Sequence, residues 1–234
     1  MNIIVTGASR GIGFEAVKLF SGDVQNNVFA ISRSIKGLDK LKQECLQING
    51  TDNVHVLPFD LQYGDYHNSL LPGILKKIDK IDILVNNAGL LLNKPFELME
   101  DKDFDSLFNT NVKSVFLLTK HLLPYFAENS HILNISSMGG YQGSVKFPGL
   151  SLYSASKGAI AVLTECLAEE LKPRHISVNC VALGSAQTEM LEEAFPGYKS
   201  PLSAGEMATF IVDFATSGHR WFNGKILPVS LTTP

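Results

Sequence analysis

Along most of the chain, short runs of Val, Ile and Leu alternate with longer stretches in which apolar residues recur at helical spacing. The short runs, at residues 2–6, 28–32, 54–59, 81–86, 131–136, 176–181 and 225–229, are apolar nearly throughout and lack in-and-out alternation. A strand with one wet face alternates, whereas a strand covered on both faces does not. The pattern therefore predicts a parallel sheet with helices on both sides, joined by right-handed crossovers. This is a doubly wound, three-layer α/β fold, expected to form a single domain over residues 1–234. Helical spacing is clearest at 103–126 and 151–172. Residues 139–150 and 185–202 are rich in Gly, Pro and Ser and carry Tyr141, Phe147, Met190, Phe195 and Tyr198, which suits loops over a pocket.

In such sheets ligands bind beyond the carboxyl ends of the strands, near the point where strand order reverses. The chemically suggestive residues fall there. The first strand runs into a loop holding Gly7, Ser9, Arg10, Gly11, Ile12 and Gly13, which opens a helical pattern through Phe20. Gly7 suits a tight turn, Gly11 the close approach of a phosphate, and Gly13 the packing of helix on strand, with free N–H groups aimed at an anion. Ser32 and Arg33 follow the second strand, Asp60 and Leu61 the third, Asn87, Ala88 and Gly89 the fourth, Ser136 and Ser137 the fifth, and Gly184 to Thr188 the sixth.

Tyr153 and Lys157 in YSASK lie four residues apart, hence one turn apart on one helix face. A cation beside a phenol favours the phenolate, so Lys157 is expected to draw the Tyr153 pKa below its ordinary ~10, toward a proton donor usable near neutrality.

Composition narrows the function classes. With 20 Lys and Arg against 23 Asp and Glu and no basic run, the chain offers nothing to track a nucleic-acid backbone. The most apolar helical stretch, 112–126, is interrupted by Lys113, Lys120, His121 and Pro124 and falls short of the ~20 apolar residues of a membrane span. No export signal precedes the first strand, and Cys45, Cys166 and Cys180 are scattered without metal-ligand spacing, so a cytoplasmic protein with reduced thiols and no metal is expected. The sequon Asn134-Ile-Ser136 falls in an expected core strand and reads as coincidence.

Taken in order, TGASRGIG from Thr6, NNAG from Asn86, Asn111 within NTNVKS, ISS from Ile135, YSASK from Tyr153 and VNCVALG from Val178 resemble the short-chain dehydrogenase/reductase family over nearly the whole chain. The resemblance implies a Rossmann fold and NAD(P)-dependent interconversion of a carbonyl and an alcohol. It implies that Tyr153 passes the proton, that Lys157 tunes it and holds the nicotinamide ribose, and that a serine steadies the substrate oxygen. The family pattern favours Ser137, with Ser136 left open. It further implies that Asn111 holds a water in a proton relay, the alternative being a solvated helix asparagine. Asp60 resembles the residue that fixes the adenine, though a helix cap would use the same side chain.

An acid after the second strand would hold a ribose 2′-hydroxyl and repel a 2′-phosphate. Here Ser32-Arg33 stands instead, with Arg10 nearby, so NADP(H) is expected over NAD(H) unless both arginines are ordinary surface charges. Two departures from the family pattern stand out. Leu183 replaces the usual proline before Gly184, leaving Thr188 to meet the carboxamide, and residues 225–234 lack the usual DGG. Homo-oligomers, dimers or tetramers, are implied through 103–126 and 151–172. The leading expectation is a reductase of a small or medium-sized, partly apolar carbonyl compound. A non-catalytic dinucleotide-binding regulator is the alternative, and a methyltransferase ranks third because it leaves YSASK unexplained.

Overall fold

Strand β1 (Asn2–Thr6) lies inside a seven-stranded sheet in the computed structural model, which describes residues 1–231. The others are β2 (Asn27–Ser32), β3 (Val54–Pro58), β4 (Ile81–Asn86), β5 (Phe126–Ser137), β6 (Ser177–Leu183) and β7 (Ile226–Val229), and every pairing is parallel. Their order is β3-β2-β1-β4-β5-β6-β7, so the chain winds outward from β1 to one edge and then, from β4, to the other. Order thus reverses between β1 and β4, where Val5 lies opposite Val85.

Helices α1 (Gly11–Ser21), α2 (Ile35–Asn49), α3 (Leu71–Leu75), α4 (Asp101–Phe108), α5 (Ser114–Leu122), α6 (Ser151–Leu171), α7 (Glu189–Ala194) and α8 (Ala204–Ser217) follow in chain order. Alternation within each strand sorts the core into two layers. Ile3 and Val5 of β1 pack with Val17 of α1, Leu41 of α2 and Ile211 of α8. Ile4 joins Ile74 of α3, Leu118 of α5 and Leu171 of α6 on the opposite side. Both faces are covered, which is why the strands carry no polar stripe. Among the described residues, no helix is long and apolar enough to cross a membrane.

Several boundaries differ from those read in the sequence. The expected helix over 103–126 is α4, a π turn (Asn109–Lys113), α5 and a 3-10 turn (Leu123–Tyr125). Pro124 brings no backbone donor to continue α5, and Phe126 already belongs to β5, paired with Ile81. β5 therefore starts five residues before the expected His131. The expected helix over 151–172 closes at Leu171, ahead of a 3-10 turn containing Pro173. Asn134 is fully buried, accepting from Asn86 Nδ2 at 2.8 Å and donating to Thr164 Oγ1 at 2.9 Å, so the sequon is a core hydrogen-bond device. Residues 232–234 of the stretch that departs from the DGG pattern lie outside the described residues.

Candidate active site

The glycine loop sits at the reversal point and is held by the strand across it. Thr6 Oγ1 accepts from the backbone N–H of Asn87 at 3.0 Å and of Ala88 at 2.9 Å, while Asn87 Nδ2 donates to the Thr6 carbonyl at 2.9 Å. This clasp brings the loops after β1 and β4 so close that side chains have no room. A Cβ on Gly7 would come within 2.8 Å of Ala88 Cα, and one on Gly13 within 2.6 Å of the Gly7 carbonyl oxygen. Gly7 and Gly11 also take φ of +68° and +59°, in the left-handed region that glycine enters without penalty. α1 begins here with no side-chain cap and no acid in its first turn, so its leading N–H groups and positive dipole end face the crevice. Such an end suits a pyrophosphate.

At the other end of the crevice, α6 presents Tyr153 and Lys157 on one face, both buried, with the ammonium 6.0 Å from the phenol ring centre. Lys157 Nζ donates to the Ile135 carbonyl at 2.9 Å. Burial pushes the lysine down to about 8, keeping it mostly charged at neutrality. The expected lowering of the phenol is not found: burial pushes Tyr153 above its ordinary value, against the lowering effect of the Ser137 hydroxyl. Desolvation of the phenol outweighs a cation held over the ring's side, toward a β5 carbonyl.

The two serines of ISS face different ways, as neighbours in a strand must. Ser136 Oγ donates to the Lys157 carbonyl at 2.8 Å and is buried, whereas the Ser137 hydroxyl lies by Tyr153 and accepts from Gly139 N at 3.2 Å. Asn111 is in the π turn, buried rather than solvated. Its Oδ1 accepts from Leu90 N at 2.7 Å, and its Nδ2 donates to Leu90 O and Ser156 Oγ, each at 2.9 Å. The side chain thus ties the loop after β4 to α6.

Around the β1–β2 end, Ser32 Oγ donates to Ser9 Oγ at 2.8 Å, and Arg33 is exposed and makes no ion pair among the described residues. Arg10 reaches over to Glu193 on α7. Asp60 accepts from Gln62 N at 2.8 Å, closing a turn instead of capping a helix, and Leu61 O accepts from Tyr66 Oη at 2.6 Å. On the far rim Gly184 N donates to Val229 O at 2.8 Å, so the loop after Leu183 stays tethered to β7. The Thr188 hydroxyl caps α7 through Leu191 N at 3.2 Å, with its methyl against Gly11.

One cavity of about 540 Å³ runs the length of this crevice. Gly7, Ser9, Arg10, Gly11, Ile12, Ser32, Arg33, Asp60, Leu61, Asn87, Ala88, Gly89, Ser137, Tyr153, Lys157, Gly184 and Thr188 all line it. Gly13 and Asn111 do not; they stand behind the wall and shape it. Phe147, Met190, Phe195 and Tyr198 of the two irregular loops line it as well, but Tyr141 does not. Sequence reasoning missed Leu90, Leu91 and Leu150 in the wall. The unbroken Leu90-Leu91-Leu92 after NNAG, in a segment too short to be a strand or helix of the core, was the available signal.

The sequence profile of the family described as short chain dehydrogenase matches residues 1–199. The 3-oxoacyl-(acyl-carrier-protein) reductase FabG of Thermotoga maritima is 34% identical over 192 residues, covering 81% of this chain and 76% of that protein. Carbonyl reductase (NADPH) 2 of Sus scrofa is 36% identical over 186 residues, covering 77% and 70%. Among solved structures, a short chain dehydrogenase of Shigella flexneri complexed with NADP superposes with a TM-score of 0.86 at 26% identity, covering 97% of this chain and 95% of the other. A 3-ketoacyl-(acyl-carrier-protein) reductase of Brucella melitensis complexed with NADH gives 0.83 at 28% identity, covering 97% and 96%. With its Rossmann sheet, its glycine cradle at the reversal point and these relatives, the chain belongs to the short-chain dehydrogenase/reductase family of NAD(P)-dependent oxidoreductases.

Proposed function

We propose that this protein is an NADP(H)-dependent reductase of neutral, apolar-flanked carbonyl compounds, with Tyr153 as the acid. The carrying observation is that Tyr153, Lys157 and Ser137 share one end of a crevice whose other end is a glycine cradle flanked by two arginines. The cradle fits a dinucleotide: the first turn of α1 has no side-chain cap, and Arg33, beside Ser32, makes no ion pair among the described residues. When bound, the nicotinamide supplies the hydride for reduction or accepts it in reverse.

The residues of the chain do the rest. Held above its ordinary pKa by burial, the Tyr153 phenol keeps its proton at neutral pH and gives it to the carbonyl oxygen as that oxygen gains charge. Ser137 donates a hydrogen bond to the same oxygen. The Lys157 ammonium, protonated below about 8, stabilises the phenolate left behind. Asn111 keeps α6 in register with the loop that walls the pocket. Leu90, Leu91, Leu150 and Phe195 pack about Tyr153, Phe147 and Met190 line the same crevice, and apart from buried Lys157 the basic residues of the crevice lie at the β1–β2 end. That supports a neutral substrate with apolar flanks over an acidic one. The proposal includes a cytoplasmic homo-oligomer, a dimer or tetramer, in keeping with exposed Phe104, Phe116 and Val162 on α4, α5 and α6.

The test follows NADPH oxidation with a panel of apolar ketones, aldehydes and quinones. Wild type should turn over at least one class, and Tyr153→Phe should lower kcat by about 10²–10⁴ with little change in NADPH affinity. Cofactor binding without any substrate-dependent turnover by wild type would favour the regulatory alternative.

A further inference from the structure

Arg10, the cation of the glycine loop, already has an anion. Its guanidinium meets the Glu193 carboxylate at two points, Nη1 with Oε1 and, at 3.2 Å, Nη2 with Oε2. Glu193 stands on α7, a short helix that forms the crevice rim through Thr188, Glu189, Met190 and Leu191. At the residues that follow Glu193, Asn93 Nδ2 donates to Ala194 O at 3.0 Å, and Phe195 packs on the cluster of Leu150 and Tyr153. The last turn of the rim helix is thus held to the glycine loop through Glu193 and to the loop after β4 and the Tyr153 cluster through Ala194 and Phe195.

A guanidinium binds carboxylates and phosphate monoesters with the same two-pronged geometry, so either anion can take the place of the other. Both partners are well exposed, with side chains 47% and 62% accessible, and an exposed pair is weak enough to exchange in water. Arg33, in the same crevice, makes no ion pair among the described residues. We propose that Glu193 is an internal stand-in for the cofactor's 2′-phosphate: it occupies Arg10 until a 2′-phosphorylated nucleotide displaces it, and that displacement unfastens α7 over the substrate pocket. This rests on the NADP(H) reading above and adds a positioning residue on the rim, acting through Arg10, that sets how strongly the two cofactors are told apart. A nucleotide lacking the 2′-phosphate leaves the pair intact and the rim fastened.

The test uses the full chain and two small probes, 2′,5′-ADP and ADP, titrated calorimetrically against wild type, Glu193→Gln, Arg10→Gln and the double variant. Removing the competitor should raise affinity for 2′,5′-ADP about two- to fivefold and leave ADP unchanged, and the gain should vanish in the Arg10→Gln background. Hydrogen exchange over residues 189–195 should quicken in wild type with 2′,5′-ADP but not with ADP, and should already be fast in Glu193→Gln. A wild type that does not discriminate between the probes overturns the NADP(H) reading and the exchange with it. Discrimination that is strong in wild type and identical in Glu193→Gln overturns the exchange alone. Equal gains for both probes in Glu193→Gln also overturn it, because a merely loosened rim would admit either nucleotide.

Discussion

Ser136 Oγ donates to the main-chain oxygen of Lys157 at 2.8 Å, so the hydroxyl beside Ser137 in the sequence serves the backbone of the helix that bears the Tyr153–Lys157 pair. Adjacent residues of one strand thereby divide their work, one bracing α6 and the other facing the Tyr153 phenol. Ser136→Ala should cost about 1 kcal/mol of stability in urea unfolding, the usual net worth of a buried hydrogen bond, and lower kcat less than tenfold. Ser137→Ala, which loses the 3.2 Å bond from Gly139 N, should lower stability by no more than Ser136→Ala does and lower kcat about 10²-fold. The opposite pattern would exchange the two assignments.

Lys157, pushed by burial from 10.5 down to about 8, sets a pH window. Carbonyl reduction should fall as pH rises through about 8, because the ammonium that steadies the phenolate is lost. Stability runs the other way. Between about 8 and 10.5 the unfolded chain holds this proton and the folded chain does not, so unfolding free energy gains a contribution that rises with pH. Comparing urea midpoints of wild type and Lys157→Met from pH 7 to 10.5 isolates that rise, which should be missing in the variant.

The proposed NADP(H) preference can be tested at Arg33 separately from Arg10, since Arg33 is unpaired among the described residues. Arg33→Asp should lower kcat/KM for NADPH at least tenfold and raise the value for NADH, because the new carboxylate repels a 2′-phosphate and accepts from a 2′-hydroxyl. An unchanged ratio of the two efficiencies would refute the assignment.

Gly13→Ala tests the cradle from behind. The added methyl would press on the Gly7 carbonyl at 2.6 Å and on the Asn87 amide, neither of which can withdraw without opening the clasp. We expect a loss of about 1–3 kcal/mol in stability, typical of overpacking, and weaker NADPH binding measured by nicotinamide fluorescence.

Much of this arrangement is legible in the sequence because it rests on local signals. β1 and β4 coincide with the apolar runs residue for residue, since strands buried on both faces leave an unbroken mark. Residues 126–130 of β5 left none: Ala127 to Ser130 are short or polar, Asn129 adopts φ of +62°, and the pairing with β4 shifts register before His131. The π turn around Asn111 was also hidden, because a single five-residue repeat hardly disturbs helical spacing. Which serine faces the phenol depends on strand facing, and the partner of Arg10 lies 183 residues away, so neither could be read before the chain was folded. The direction of the Tyr153 shift is hidden from the sequence for a related reason: spacing locates the cation but says nothing of how dry the phenol is.

The clasp between Thr6 and Asn87 joins segments 81 residues apart in the chain, and the Asn87–Gly89 side of the nucleotide cradle meets the glycine loop through it. A chain in which β1 had paired only with β2 would lack the Asn87–Gly89 wall of the crevice. Dinucleotide affinity is therefore a reporter of long-range assembly in this protein, and by mass action the cofactor should stabilise weakened variants with the logarithm of its concentration over its dissociation constant.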